Sequence, residues 1–368
     1  MSALNRKDFL ILGAIALLTY ALIGAFIQTP GYLDADTYYH DGVRLARGFG
    51  FSENILWNYL DSPVTLPHPS HGYWAPMASL LAAASMAAFG VGFRQAQIPF
   101  VLIGAMIGPA VAMLGSALGL GRRQSIIAGI LGIFSGFFAV YIPTIDHYGI
   151  LMVCGAAVMT LLLRRETLRQ HSLVLGLAIC LAVMTYCRTD SVLWLAIVSI
   201  AIFWPNNKVG DEHRLQKSWL TVLEVVSLWL VLMLPWYLRN ITVFGSPFGT
   251  GGKVLFLTSY EDMFAWPASR VNFANWIAQG WAEIAKNIAG AFVTSLGNFL
   301  LAQVGLVDLV FLGPGLVLSW NLRFIRGMLL AWLALLLALA VAFPFASDHG
   351  SYFHASAAFA PLIYIPCV

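Results

Sequence analysis

The chain has 368 residues, of which 60% are hydrophobic and only 10% are charged, and its formal net charge is +3. A soluble protein carries about 25% charged residues, so the composition excludes a soluble globular protein. The basic residues are spread over many short loops, which excludes a nucleic-acid-binding surface. Apolar stretches long enough to cross about 30 Å of hydrocarbon recur along the chain. The sequence therefore predicts an all-α polytopic membrane protein.

The predicted membrane spans, in chain order, are 9–29, 97–119, 125–143, 149–163, 172–187, 191–204, 219–237, 303–320 and 327–345, with a last one that begins near residue 355. They leave a first outer loop at 30–96 and a second large outer segment at 240–302. The aromatic and charged residues of the second segment predict one or two helices lying on the membrane. We expect residues 1–368 to form a single transmembrane domain that continues beyond residue 368, because the chain ends inside an apolar stretch.

The stretch 72–90, GYWAPMASLLAAASMAAFG, decides the predicted topology. If it lies at the interface without crossing, five basic clusters share one side of the membrane: Arg6/Lys7, Arg122/Arg123, Arg164/Arg165/Arg169, Lys208/Arg214/Lys217 and Arg323/Arg326. Lys and Arg concentrate in short cytoplasmic loops, so this arrangement is favoured. The stretch is therefore predicted to form an interfacial helix.

Most titratable residues then fall on the extracytoplasmic side, at the ends of several spans. They are Asp34, Asp36, Asp41, Asp61, Asp146, Arg188, Asp190, Arg239, Lys253, Asp348 and six histidines, His40, His68, His71, His147, His349 and His354. Charges at this depth are costly and usually functional. A transport pathway would instead place them near the bilayer midplane, where Glu224 and Asp308 are the chief candidates. The distribution favours an outward-facing active site.

The first outer loop begins with GYLDADTYYHDGVRLARGFGF (31–51), which predicts a short amphipathic helix with Asp34 and Asp36 at its N-terminal end. The helix dipole stabilises carboxylates there, and this is one explanation of the pair. The other is chemical, because paired aspartates suit proton abstraction from a hydroxyl or binding of a divalent ion. The spacing from Asp34 to its tyrosines, Leu45 and GFGF resembles the first outer loop of the GT-C glycosyltransferases. That superfamily includes protein O-mannosyltransferases, aminoarabinose transferases and the catalytic subunits of oligosaccharyltransferase.

A second acidic motif lies in TIDHYGIL (144–151), where Asp146 precedes a glycine that opens a helix. The motif resembles the second acidic motif of the GT-C enzymes. Capping of the following helix by Asp146 is the alternative explanation, and the two are compatible.

Basic residues follow in the same order as in bacterial GT-C sequences. The stretch YCRTDSVLW carries Arg188 in an outer turn, and the alternative to a functional role is a simple ion pair with Asp190. The stretch LPWYLRNITVFGSPFG carries Arg239, and the alternative there is an anchor at the membrane interface. ASDHGSYFHASAAFAP offers His354 before the last span, at a place where related loops carry an Arg or His that meets a lipid phosphate.

The resemblance implies a GT-C-like helical bundle with juxtamembrane helices in the first outer loop. It also implies inverting transfer of a sugar from a polyprenyl-phosphate donor to a glycan, lipid or protein acceptor. The catalytic base is expected to be Asp34, or Asp36 as the fallback, with Asp146 orienting the acceptor or sharing that role. A divalent cation, Mg or Mn, would bind Asp34 and Asp146 if one is required. The residues expected to bind the donor phosphate or substrate are Arg188, Arg239, His354, His71, His147 and Tyr38.

The resemblance places the protein in the cytoplasmic (inner) membrane with its active site on the extracytoplasmic face. The oligosaccharyltransferase motif of the WWDYG type is absent from the sequence, which favours transfer of one sugar over a whole oligosaccharide. Two other classes stay open. A lipid or sugar transporter (a flippase, for instance) would depend on Glu224 and Asp308, and a metal- or haem-binding membrane protein would depend on His68, His71, His349 and His354.

Overall fold

The computed structural model describes residues 4–203 and 212–368, and these residues form a helical bundle with one two-stranded sheet. The helices in chain order are α1 (Arg6–Phe26), α2 (Leu33–Ala46), α3 (Met77–Phe89), α4 (Phe93–Gly104), α5 (Ile107–Ala117), α6 (Arg122–Ile133), α7 (Gly136–Ala139), α8 (Tyr148–Leu163), α9 (Gln170–Cys187), α10 (Leu193–Phe203), α11 (Glu212–Phe244), α12 (Phe273–Ala278), α13 (Trp281–Asn298), α14 (Gly305–Ser319), α15 (Arg323–Ala342), α16 (Pro344–Ala346), α17 (Tyr352–Ser356) and α18 (Ala360–Ile363). The sheet pairs β1 (Ser52–Glu53) with β2 (His68–Pro69) in antiparallel register.

Six helices of the described residues are long and apolar enough to cross a membrane. They are Arg6–Phe26, Phe93–Ala117, Gln170–Cys187, Lys217–Phe244, Trp281–Val304 and Arg323–Ala342, and shorter apolar helices include α8 and α14. Many large apolar side chains on these helices are exposed, such as Leu18 at 71% and Leu318 at 84%. An apolar surface of this extent suits contact with lipid. The prediction of an all-α polytopic membrane protein is confirmed.

The basic loops meet at one end of the bundle. Asp8, at the start of α1, accepts hydrogen bonds from Arg122 at the start of α6, with a shortest distance of 2.7 Å. Gln170, at the start of α9, contacts the early part of α11 through Glu224. Lys208, which belongs to one predicted basic cluster, lies outside the described residues. Both α1 and α9 run away from these contacts, so the ends of these two helices that lead into the acidic and histidine-rich segments lie towards the other end.

Helix α3 packs on α2, where a Cβ added to Gly42 would lie only 3.1 Å from the Cβ of Ala82. The next helix, α4, starts where α1 finishes, because Arg94 donates a hydrogen bond of 2.6 Å to the carbonyl oxygen of Gly24. The end of α3 that leads into α4 therefore lies near the end of α1, and the interfacial position of 72–90 stays a prediction.

The second outer segment is more helical than the sequence predicts. Short 3-10 turns and α12 occupy its first half, but α13 begins at Trp281, well before the predicted span 303–320. A π-helical stretch, Phe299–Val304, joins α13 to α14. Glu283 and Lys286 pair at 2.9 Å on the exposed side of α13, and these charges hide its apolar period in the sequence.

Candidate active site

Three residues from distant parts of the chain converge at the acidic end of the bundle. Asp34 lies in the first turn of α2, Asp146 lies two residues before α8, and His354 lies in α17. The Nε2 atom of His354 is 3.3 Å from Oδ2 of Asp34, and its Nδ1 atom is 3.4 Å from Oδ1 of Asp146. We call Asp34, Asp146 and His354 the central group.

Asp146 is fully buried and held as a carboxylate. It accepts hydrogen bonds from the hydroxyl of Tyr32 and, at 2.5 Å, from the backbone N–H of His147. Burial opposes the charged form, but the charge and hydrogen bond of His354, together with His147 and Tyr32, outweigh burial and lower the pKa of Asp146. The N-cap of α8 is His147, so Asp146 does not cap this helix in the way that its sequence position suggests.

His354 supplies the positive charge of the central group. Its ring stacks on Tyr148 at a centroid distance of 4.4 Å, and the Tyr148 hydroxyl is 3.1 Å from Nε2. Burial would lower the pKa of His354, but the carboxylates of Asp146 and Asp34 outweigh it and raise the pKa to about 9. The ring is therefore an imidazolium at neutral pH when it faces the two carboxylates alone.

The central group also has the composition of a cation site. One ligand atom from each of its three residues lies within 4.8 Å of the other two. Two carboxylates and an imidazole are ordinary ligands of divalent metals, so the group fits such an ion.

Asp34 and His354 face a cavity of about 310 Å³, whereas Asp146 lies behind them and does not line it. Tyr38 also lines the cavity, and its hydroxyl is 2.6 Å from Nε2 of His147. Burial lowers the pKa of His147 to about 3, so this ring stays neutral and holds Tyr38 in place. Tyr38 therefore contributes to the cavity directly and His147 contributes through it.

Arg188 lines the same cavity and is already paired. Its Nη2 atom is 2.6 Å from Oδ2 of Asp190 and 2.5 Å from the hydroxyl of Ser351. Its Nε atom also donates to Asp190, so the contact is bidentate. The pairing anticipated as an alternative is what the structure contains, and it leaves the guanidinium at the cavity wall.

Three predicted site residues lie away from this cavity. Asp36 points to another surface and approaches His40 at 3.4 Å. The guanidinium of Arg239 lies 5.0–5.4 Å from the ring centroids of three aromatic residues and donates to the backbone carbonyl of Ser70. The imidazole of His71 is enclosed between the hydroxyls of Ser70, at 2.7 Å, and Ser79, at 2.9 Å.

His71 belongs to a second group of ionisable residues, which we call the loop cluster: Asp41, Glu53, Asp61, His68 and His71. His68 lies between Glu53, at 3.5 Å, and Asp61, at 3.1 Å. Burial, reinforced by the charge of Asp61, raises the pKa of Glu53 to about 8. Burial first, and then Arg239 and His147, lowers the pKa of His71 to about 3. The space within this cluster is only about 20 Å³.

The histidines that a metal-binding protein would require do not form one site. His68 and His71 lie in the loop cluster and His354 lies in the central group. His349 stacks on Tyr260 at a centroid distance of 3.9 Å. Within the described ranges, only the central group brings three such ligand atoms together.

Sequence reasoning missed several residues of the site. Tyr32, Trp57, Tyr73 and Trp74 all line the cavity, but the sequence patterns assign no role to any of them individually. Tyr32 lies two residues before Asp34 in GYLDAD, and this position is a signal for it. Trp57 lies in WNYLD (57–61), and Tyr73 and Trp74 lie in PHPSHGYW (67–74); both stretches resemble the rest of the first outer loop of GT-C enzymes but do not indicate which of their residues line a site.

Comparisons with known proteins identify the fold. No family model matches the sequence, and no curated protein matches it. The structure is similar to archaeal oligosaccharyltransferase AglB from Archaeoglobus fulgidus, in complex with an inhibitory peptide and a dolichol-phosphate, with a TM-score of 0.59 at 13% identity over 98% of this chain and 50% of that chain. The apo form of the Archaeoglobus fulgidus oligosaccharyltransferase gives a TM-score of 0.50 at 13% identity, over 99% of this chain and 56% of that one.

The chain thus spans about half the length of the oligosaccharyltransferase that it matches. The similarity extends over nearly all of this chain, including the first outer loop and the segments that carry the central group. A structural similarity at such low sequence identity shows the fold only. The reaction must be argued from the residues of the site. The chain has the fold of archaeal oligosaccharyltransferase AglB over nearly all of its own length.

Proposed function

We propose that this protein is a membrane glycosyltransferase that moves a single sugar from a polyprenyl-phosphate donor to an acceptor hydroxyl. One observation carries the proposal: on a GT-C fold, Asp34 faces a cavity while His354 and the buried Asp146 hold it from behind. A carboxylate fixed at a cavity wall is the arrangement that a general base requires.

The proposed reaction is a single inverting displacement. The acceptor oxygen attacks the anomeric carbon, its proton passes to Asp34, and the bond from that carbon to the phosphate oxygen breaks. The phosphate leaves with the bonding electron pair. Asp36 faces another surface, so Asp34 is the better candidate for the base. His354 and Asp146 act as positioning residues for Asp34.

A divalent cation at the central group would have Asp34, Asp146 and His354 as its ligands. It would supply positive charge that stabilises the negative charge developing on the leaving phosphate. The protein residues do not depend on it for placement, because Tyr32 and His147 already hold Asp146.

A separate apolar cleft, which extends from Leu193 and Ala338 at one end to Arg165 and Arg323 at the other, supports a lipid-linked donor. The cleft has a volume of about 420 Å³ and lies between α8, α10 and α15. Asp190 and Phe343 line the cavity, whereas Leu193 and Ala338, which lie within five residues of them, line the cleft. A prenyl chain in this cleft would leave its phosphate near Arg188. Arg239 and His71 do not line the cavity and are engaged by other partners, so they are not part of the proposed phosphate site.

We also propose that the protein resides in the inner membrane with the cavity on the extracytoplasmic face. The support is the separation of charges along the bundle. The clusters Arg6/Lys7 and Arg122/Arg123 lie at the end marked by the Asp8–Arg122 ion pair, and basic loops face the cytoplasm in membrane proteins.

A transfer assay tests the proposal. Full-length protein in nanodiscs is incubated with radiolabelled polyprenyl-phosphate sugars and extracted membrane acceptors, and label transfer is measured. We expect at least one donor to be used and Asp34→Asn to lower the rate by about a hundredfold or more. Asp36→Asn is the matched control and should stay within about twofold. Equal activity of Asp34→Asn and the wild type would refute the assignment of the base.

A further inference from the structure

Three aromatic rings from the first outer loop form a continuous surface, which we call the aromatic wall: Trp57, Tyr73 and Trp74. The ring centroids of Trp57 and Trp74 are 4.3 Å apart, and Tyr73 lies 4.9 Å from Trp57 and 5.4 Å from Trp74. All three line the cavity that Asp34 faces, and all three are only partly buried. The wall therefore presents ring surface to whatever occupies the cavity.

The wall joins the central group through Tyr38. Trp74 contacts Tyr38 at a centroid distance of 5.9 Å, and Tyr38 lies one helical turn after Asp34 on α2. A ligand resting on the wall would therefore share the cavity with the proposed base, Asp34, whereas Arg188 enters that cavity from a different loop.

The charges around the cavity indicate what kind of ligand the wall would take. Asp34 and Asp190 are acidic, and the three basic side chains of the cavity, Arg188, His349 and His354, each already face a carboxylate. An anionic group beside the wall, in addition to the donor phosphate, would be repelled by the carboxylates of Asp34 and Asp190, and the wall has no cation to pair with it. An uncharged group with an apolar face and hydroxyls avoids this repulsion.

We infer that the aromatic wall is the subsite for the uncharged sugar ring of the donor, with the C–H face of the sugar against Trp57 and Trp74. This inference rests on the proposed function and adds to it the part of the cavity that binds the sugar ring and selects among sugars. The prenyl chain has a separate apolar cleft, and the phosphate lies nearer Arg188. A volume of about 310 Å³ is at the small end of the range of ligand pockets, which suits one sugar with its phosphate.

The test is equilibrium binding without acceptor, using full-length protein in nanodiscs. The probes are farnesyl phosphate carrying glucose, mannose, galactose or N-acetylglucosamine, and bare farnesyl phosphate. The variants are Trp57→Leu, Trp74→Leu, Trp57→Phe and Trp74→Phe, with Trp281→Leu as a control at an exposed tryptophan. Leucine keeps an apolar side chain but removes the aromatic face, whereas phenylalanine keeps a ring.

We expect each leucine variant to weaken binding of the best sugar-lipid by roughly tenfold, and each phenylalanine variant by about threefold or less. Bare farnesyl phosphate should bind all five variants like the wild type. Unchanged sugar-lipid binding in the leucine variants would overturn the inference and leave the proposed transfer intact. Equal losses for the sugar-lipid and the bare lipid would also overturn it, because the wall would then bind the chain.

A second measurement covers variants that fail to fold, which thermal melting would reveal. Magnetisation transfer from indole protons to sugar ring protons in the wild type should be visible for the best sugar-lipid, and its absence would overturn the inference. If none of the sugar-lipids bound to the wild type, the proposed function and the inference would both fail.

Discussion

The central group and the loop cluster contain the same kinds of residue but differ in what surrounds them. In the central group, His354 lies between Asp34 and Asp146 and faces a cavity of about 310 Å³. In the loop cluster, His68 lies in the same way between Glu53 and Asp61, but the space beside it is about 20 Å³. A carboxylate–imidazole–carboxylate arrangement is therefore not enough to identify a functional site. The central group differs from the loop cluster because only the central group has room for a ligand beside it.

The protonation of the two groups differs as well. Both carboxylates of the central group contact a histidine whose pKa is raised to about 9, and the pKa of Asp146 is lowered. In the loop cluster, burial raises the pKa of Glu53 to about 8 and also raises the pKa of Asp41. Charge is thus retained where the cavity opens and is disfavoured where the loop packs, which suits a chemical role for the first and a structural role for the second.

The largest contrast is expected from removing one buried charge in each group. Asp146→Asn leaves His354 without its buried counter-charge, and breaking a buried ion pair costs about 3–5 kcal/mol. We expect sugar transfer to fall by more than about a hundredfold, with a lower melting temperature. Asp61→Asn, in the loop cluster, should keep transfer within about twofold. Transfer rates that respond equally to both substitutions would remove the distinction between the groups.

Arg188→Lys tests whether the cavity depends on the bidentate pair with Asp190. Lysine keeps the charge but cannot make the two parallel contacts, so the turn before α10 loses a fixed geometry. We expect the KM for the lipid-linked donor to rise by about tenfold with a smaller change in kcat. Arg47→Lys, at an exposed position outside the cavity, is the control. A loss confined to kcat would argue against a role in holding the donor.

Tyr32→Phe removes one hydrogen bond to Asp146 and keeps the ring. The remaining contacts with the backbone of His147 and with His354 still hold the carboxylate. Transfer is expected to fall by about threefold to tenfold, because the typical net contribution of one hydrogen bond is about 0.5–1.5 kcal/mol. Tyr39→Phe is a suitable control, since Tyr39 does not line the cavity. A loss as large as that of Asp146→Asn would mean that Tyr32 acts directly on the substrate.

The smallest effect is a pH dependence of stability that comes from Glu53. The pKa of Glu53 is about 4.5 when unperturbed and about 8 in the fold. The free energy of unfolding is therefore not reduced by Glu53 below pH about 4.5, and it falls as the pH rises from there towards 8. Glu53→Gln keeps a neutral side chain at every pH. The melting temperature of the wild type should therefore fall more steeply than that of Glu53→Gln over this range, with transfer activity nearly unchanged. Parallel melting curves would contradict the buried, neutral Glu53.

The sequence predicted the site unevenly. Asp34, Asp146, Arg188 and His354 were singled out from motifs, and the structure brings them to one cavity or directly behind it. Arg239 looked equally suitable from LPWYLRN, but three aromatic rings and a backbone carbonyl enclose it. A motif reports residue type and order along the chain, whereas the direction of a side chain depends on partners that are distant in sequence.

The sequence by itself determined that the chain is a bundle of apolar helices suited to a membrane, because hydrophobic length acts locally along the chain. It also indicated the short helix α3 beside the first loop. Only the tertiary structure decided that His354 lies between Asp34 and Asp146, that Asp146 is buried, and that Trp57 and Trp74 share the cavity. These features depend on contacts between residues separated by up to 320 positions, which no local pattern of hydropathy or charge can encode.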